Sequence, residues 1–208
     1  MATKQSAGKA GATVAVRLQE IKTARNRLTI CGTTPMLQHA WDHKAIEMIE
    51  AKKMGKKTKD REACDPEREF KAATYFTPEG EYGIPLLALK SAIINAAHKD
   101  LGIEKTLVRK ALFIRSPNLE MILPMAKGTP PPKMRKDMVR VGAGSADVRY
   151  RPQFDEWKVT FDVEYDTDLL QLDDLVNLIN RAGFGVGIGE WRPEKNGEYG
   201  RFEVLRAA

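Results

Sequence analysis

Along residues 157–165 apolar and polar positions alternate without a break. Trp157, Val159, Phe161, Val163 and Tyr165 fall on one side, and Lys158, Thr160, Asp162 and Glu164 on the other. This period of two predicts a half-buried strand. A shorter alternation at 27–31 ends at Gly32 and predicts a second strand, with residues 13–18 as another strand or its beginning. Leu86, Leu89, Ile93 and Ala97 recur at helical spacing behind Pro85, which suits a first helical turn. Leu172, Leu175, Val176 and Ile179 mark another helix, with Asp168 expected as its N-cap and Ala182-Gly183 as its stop. Weaker patterns predict short helices at 45–51, 69–75 and 104–112, a hairpin tip at 76–82 and strands at 119–123 and 201–205. Residues 148–152 are expected to form a hairpin with 157–165 through a turn at 153–156.

Strand, helix, helix, strand, hairpin, helix, glycine loop and strand add up to an α+β domain. The simplest architecture is a ferredoxin-like (RRM-like) antiparallel sheet, β-α-β-β-α-β, with helices on one face. It occupies residues 14–208, after a disordered basic arm at 1–13. Two basic insertions are expected. Residues 52–68 are too charged to be ordered by burial. Residues 126–146 combine Pro130, Pro131 and Pro132 with Lys127, Lys133, Arg135, Lys136 and Arg140, and read as a long irregular loop.

Charge adds an asymmetry. Residues 1–140 carry 26 Lys and Arg against 15 Asp and Glu, a net +11, whereas residues 141–208 carry 8 against 13, a net −5. A basic two-thirds joined to an acidic third suits an anionic strand, or contact between copies, basic face to acidic face. Cys31 and Cys64 form no CxxC pair, and neither a signal peptide nor a membrane-length apolar run is present. A reduced, soluble, cytoplasmic protein is expected, with no membrane partner.

The strongest chemical signal is the stretch from Gly183 to Val204. Six glycines lie within eighteen residues, interleaved with Trp191, Arg192, Lys195, Tyr199 and Arg201. Gly185, Gly187, Gly189, Gly197 and Gly200 are expected to let a strand approach the backbone. Trp191 or Tyr199 would stack on bases, and Lys127, Lys133, Arg135, Lys136, Arg140, Arg192, Lys195 and Arg201 would meet phosphates. Met134 and Met138 are placed to wedge beside bases, or to fill gaps. A dinucleotide fingerprint is excluded, because these glycines follow a helix and not a strand. His39, Asp42 and His43 form the nearest thing to a metal or catalytic cluster, but no third ligand has a recognised spacing, so a polar loop is the expectation. No cofactor is expected.

Several motifs resemble the RAMP superfamily, the ferredoxin-fold RNA-binding proteins of CRISPR effector complexes. Gly187-Ile-Gly-Glu-Trp-Arg192 through Asn196-Gly-Glu-Tyr-Gly-Arg201 is similar to that family's C-terminal glycine-rich loop. Leu28-Thr-Ile-Cys-Gly-Thr-Thr-Pro-Met-Leu37 resembles the first strand and following loop of its backbone subunits, and Tyr82-Gly-Ile-Pro-Leu-Leu-Ala-Leu-Lys-Ser-Ala92 their helix start. The basic proline-rich loop stands where such subunits carry a thumb that kinks the bound strand. The resemblance implies a non-enzymatic protein that binds single-stranded RNA or DNA, RNA favoured, and assembles side by side along it. The short chain suits a stand-alone, phage-type relative. A protein-binding decoy or inhibitor of a CRISPR complex on the same fold is the alternative, and a metal-dependent nuclease at His39, Asp42 and His43 the second.

Overall fold

The computed structural model describes residues 20–40, 43–55, 64–116, 121–141 and 145–205. The expected arm at 1–13, the strand at 13–18 and Asp42 lie outside the described residues, as does part of each expected insertion (56–63 and 142–144).

The alternation at 157–165 builds the centre of the molecule. Strand β1 (Thr23–Gly32) pairs antiparallel with β8 (Lys158–Asp166) from Thr23↔Asp166 to Cys31↔Lys158. Strand β4 (Leu112–Arg115) flanks β8, and β9 (Phe202–Val204) flanks β1. The order β4-β8-β1-β9 is that of an antiparallel β-α-β-β-α-β sheet. The crossovers are α3 (Leu86–Leu101) and α5 (Leu172–Arg181). Leu89, Ala92, Ile93, Ala96 and Ala97 of α3 and Leu175, Leu178 and Ile179 of α5 are buried in one cluster with Ile30, Val159, Phe161, Val163 and Tyr165. The protein is an α+β, ferredoxin-like fold. The sheet's other face is polar, with Arg27 paired to Asp162 at 2.7 Å and Glu164 held between Arg25 and Arg115 at 3.0 and 2.8 Å.

Two smaller sheets are added. One joins β2 (Met36–Leu37), β7 (Ser145–Phe154) and β6 (Lys133–Val141) in the order β2-β7-β6; the other pairs β3 (Gly83–Pro85) with β5 (Ile122–Pro124). Helices α1 (His43–Lys53) and α2 (Pro66–Ala72) follow β2, so the described part of 52–68 holds the end of one helix and the start of the next. Asp65 caps α2, its carboxylate accepting from the Arg68 N–H. Helix α4 (Lys105–Ala111) precedes β4.

Several expectations are corrected. Residues 133–141, expected as irregular loop, form β6, paired with β7 from Lys133↔Gln153 to Val141↔Ser145. Strand β7 therefore pairs with β6 and β2 and not with β8. The chain changes sheets at a corner where Phe154 and Trp157 are both buried, and Trp157 Nε1 donates to the Thr34 carbonyl at 3.0 Å. The N-cap of α5 is Gln171, because residues 167–169 form a turn before the helix begins, with the Asp168 N–H donating to the Asp166 carboxylate at 2.9 Å. Leu172, at the first turn, is exposed, and Leu178 takes its place in the core. Finally, α5 ends with Ala182 as its C-cap, as expected, but the chain continues into a wider π-type turn, Ala182–Val186.

Candidate nucleic-acid interface

The π-type turn is closed by Gly187 N–H donating to the Ala182 carbonyl at 2.8 Å. From there the chain folds back on itself. Ile188 N–H meets the Gly200 carbonyl at 3.0 Å, Tyr199 N–H the Trp191 carbonyl at 3.1 Å, and Glu190 N–H the Leu37 carbonyl at 2.9 Å. Gly187, Gly189 and Gly200 adopt positive φ (69°, 81° and 70°), a conformation that favours glycine. A Cβ at Gly189, Gly197 or Gly200 would collide with the backbone of Leu37, Trp191 or Ile188. These glycines therefore let the chain approach itself. Gly185 differs: it is exposed, and an added Cβ would meet only Asp100 Oδ2 at 3.7 Å.

The loop is clasped to the β6–β7 hairpin. Arg135 Nε donates to Asp137 at 2.8 Å, and its Nη1 donates to Tyr199 Oη at 2.5 Å and to Gln153 Oε1 at 3.2 Å. Its guanidinium lies 5.0 Å from the Trp191 ring centroid and 5.1 Å from that of Tyr199. The cross-strand partner of Arg135 is Arg151, also over Trp191 at 5.7 Å. Arg151 is buried between Asp137 (3.7 Å) and Glu190 (3.9 Å), and burial pushes its pKa down. The Asp137 hydrogen bond pushes that of Arg135 up. Trp191 has a left-handed φ of 50°, a strained position for a bulky residue that these contacts hold. Trp191 and Tyr199 thus form the clasp, with guanidinium groups beside their rings.

Among the other expected cations, Arg192 is spent internally. Its guanidinium donates to Glu194 at 3.0 Å and to the Gly189 carbonyl at 3.0 Å, while Glu194 also accepts from Lys99 of α3 at 2.8 Å and from Asn95 at 3.1 Å. Lys99 first, then Arg192, holds the Glu194 carboxyl below its ordinary range. Lys133 is exposed and ion-paired with Asp155 at 2.5 Å. Lys136 and Arg140 are exposed and lie on the outward hairpin face with Met134 and Met138, the latter 80% exposed. Val148 and Tyr150 are their neighbours across the strand pair, and Lys136 lies 6.0 Å from the Tyr150 ring. Lys127 is exposed in the turn after β5, and Lys195 in a 3-10 turn (Pro193–Lys195). Arg201 stands over the ring of Phe184 at 4.7 Å.

One aromatic escaped the sequence reading. Phe184 is 71% exposed, at the crest of the π-type turn. Leu175, Ile179, Ala182 and Val186 are buried at helical spacing. Continuing that stripe past Gly183 would have placed Phe184 outside it.

His39 is half-buried and accepts at Nε2 from Arg149 Nη1 at 2.6 Å, so its ring is neutral. Burial, then Arg149 and Arg151, push its pKa down. It borders a cavity of about 170 Å³ with Gln38, Tyr75, Glu190 and Arg192. Asp42 lies outside the described residues, and among those described no group of three or more His, Cys, Asp or Glu is placed to hold a metal ion. No helix among the described residues is long and apolar enough to cross a membrane.

No family model matches this chain, and no curated protein matches it. Among solved structures the chain is similar to the crystal structure of Cmr6 from Pyrococcus furiosus. The identity is 7% and the TM-score 0.41, over 89% of this chain and 100% of that one. It is also similar to a chain of the cryo-EM structure of the Type III-B Cmr-beta bound to cognate target RNA. There the identity is 10% and the TM-score 0.40, over 86% of this chain and 59% of that one. Likeness at this level carries no argument about function, which rests on the residues described above.

Proposed function

We propose that this protein binds single-stranded nucleic acid, RNA ahead of DNA, without catalysing a reaction, and that copies assemble side by side along the strand. The observation that carries this reading is the two-sided hairpin. Its inward face is locked to the glycine-rich loop through Arg135, Arg151, Trp191 and Tyr199. Its outward face presents Lys136 and Arg140 between the exposed Met134 and Met138. A cationic and apolar ribbon on a fixed base suits a strand that offers phosphates and unpaired bases together. Lys127 and Lys195 extend the exposed positive charge, whereas Arg135 and Arg192 hold the loop in place and are released from the phosphate role.

The test is binding of fluorescent single-stranded RNA and DNA across a salt series, with mass photometry on the same samples. Binding should weaken with salt at a log–log slope of about −0.7 for each phosphate neutralised, and mass should grow in steps on longer strands. Absence of both binding and growth rejects the reading and points to a protein partner.

A further inference from the structure

We infer that Phe184 and Arg201 form a nucleobase-binding site beside the glycine-rich loop, separate from the hairpin face. The inference rests on the single-strand reading above and says where a base is held.

The turn that carries Phe184 is built to be rigid. Ala182, Gly183 and Val186 are buried, and a Cβ at Gly183 would collide with the Phe202 backbone, so the turn is pressed against β9. Phe184 projects from this base while the neighbouring Gly185 adds no bulk beside the ring. The Arg201 guanidinium, 4.7 Å from the centroid, backs the ring as a cation against a π-face. The residue also borders an open cavity of about 440 Å³ lined by Asp100, Asn177, Asn180 and Arg181.

The lining suits a base better than a protein surface. A lone aromatic surrounded by two amides, a carboxylate and a guanidinium is not a contiguous apolar patch. A nucleobase combines a flat π-face with an edge of donors and acceptors. Asn180 Oδ1 accepts from Val204 N–H at 2.8 Å, which orients its amide and leaves the NH₂ as donor. Asp100 supplies acceptors, and Arg181 a cation for the attached phosphate. Trp191 and Tyr199 are only part-exposed and packed against Arg135 and Arg151, whereas Phe184, with Arg201 on its ring, is 71% exposed and offers the accessible platform.

The experiment uses the full chain with an oligouridine RNA carrying one 2-aminopurine, and the same RNA carrying an abasic site instead. Stacking on Phe184 should quench 2-aminopurine fluorescence. Phe184→Ala should remove the quenching and weaken binding about tenfold, in the range of one lost base–aromatic stack. The salt slope should stay unchanged, and Phe184→Tyr should restore quenching. The abasic RNA should bind wild type more weakly but Phe184→Ala no more weakly than before. Binding and quenching that ignore Phe184→Ala overturn the base site and leave the hairpin reading standing. A loss of self-association on Phe184→Ala, with RNA binding intact, assigns the ring to contact between copies and also overturns it. No RNA binding by wild type overturns both.

Discussion

Arg135 and Tyr199 lie 64 residues apart in the chain and meet in a 2.5 Å hydrogen bond from guanidinium to phenolic oxygen. This contact helps join the hairpin to the glycine-rich loop, together with Trp191 beside the same guanidinium and Arg151 beside Glu190, while Gln153 steadies Arg135 from within the hairpin.

Tyr199→Phe should therefore cost about 1 kcal/mol, the worth of one part-buried hydrogen bond. Melting should fall by about 2–4 °C for a chain of this size. Arg135→Lys should cost more, because an ammonium cannot bond Asp137, Gln153 and Tyr199 together while standing beside the Trp191 and Tyr199 rings. Urea denaturation of the two variants checks the order.

Glycines separate into two groups by what surrounds them. Gly200→Ala combines a positive φ with a collision against the Ile188 carbonyl, and should destabilise by about 1–3 kcal/mol. Gly185→Ala meets only Asp100 Oδ2 at an ordinary contact distance of 3.7 Å and should leave the denaturation midpoint unchanged. Equal losses at both positions would contradict the packing described here.

On the outward hairpin face, Lys136→Ala with Arg140→Ala should weaken single-strand binding without altering stability. The log–log salt slope should become shallower by about 0.7 for each phosphate contact removed. Fluorescence anisotropy at several salt concentrations reads both quantities.

His39 provides a pH signature. Its folded pKa is pushed down by burial and by Arg149 and Arg151, below the ordinary value near ~6.5. The unfolded chain then takes up a proton more readily than the folded one. The His39 contribution is fully present above about pH 7 and is lost as pH falls through ~6.5 towards the folded pKa. Between pH 7.5 and 5.5 the wild type should lose stability that His39→Phe does not lose, as urea midpoints at the two pH values will show.

Where burial is one-sided, the fold could be read directly. The stripe from Val159 to Tyr165 and the face of α3 bury apolar groups on one side only, which is what a hydrophobic period reports. Strand β6 escaped because neither of its faces is an apolar stripe, with Met134 and Met138 set among cations on the outward one. Arg135 and Asp137 alternate with Lys136 and Arg140, so a period of two in exposure leaves no period in hydrophobicity. At the site, the cluster of glycines, aromatics and cations was visible, but its division of labour was not. An aromatic ring looks the same in sequence whether an arginine of the same chain or a base of another molecule covers it. Trp191 and Tyr199 therefore look like base platforms in sequence, and nothing there sets Phe184 apart from them.

The pairing of β1 with β8 has a consequence during synthesis. Cys31 leaves the ribosome 127 residues before its partner Lys158, a delay on the order of ten seconds at ordinary elongation rates. Through that interval a central strand is a nascent segment with both edges unpaired, a template for pairing with another chain. Arg25 and Arg27 alternate with Ala24, Asn26 and Leu28 along it, so β1 carries like charges that repel a second copy of itself. The same arginines find Asp162 and Glu164 only when β8 arrives, which makes the charged face of the sheet a guard for the unfinished chain before it becomes a set of ion pairs.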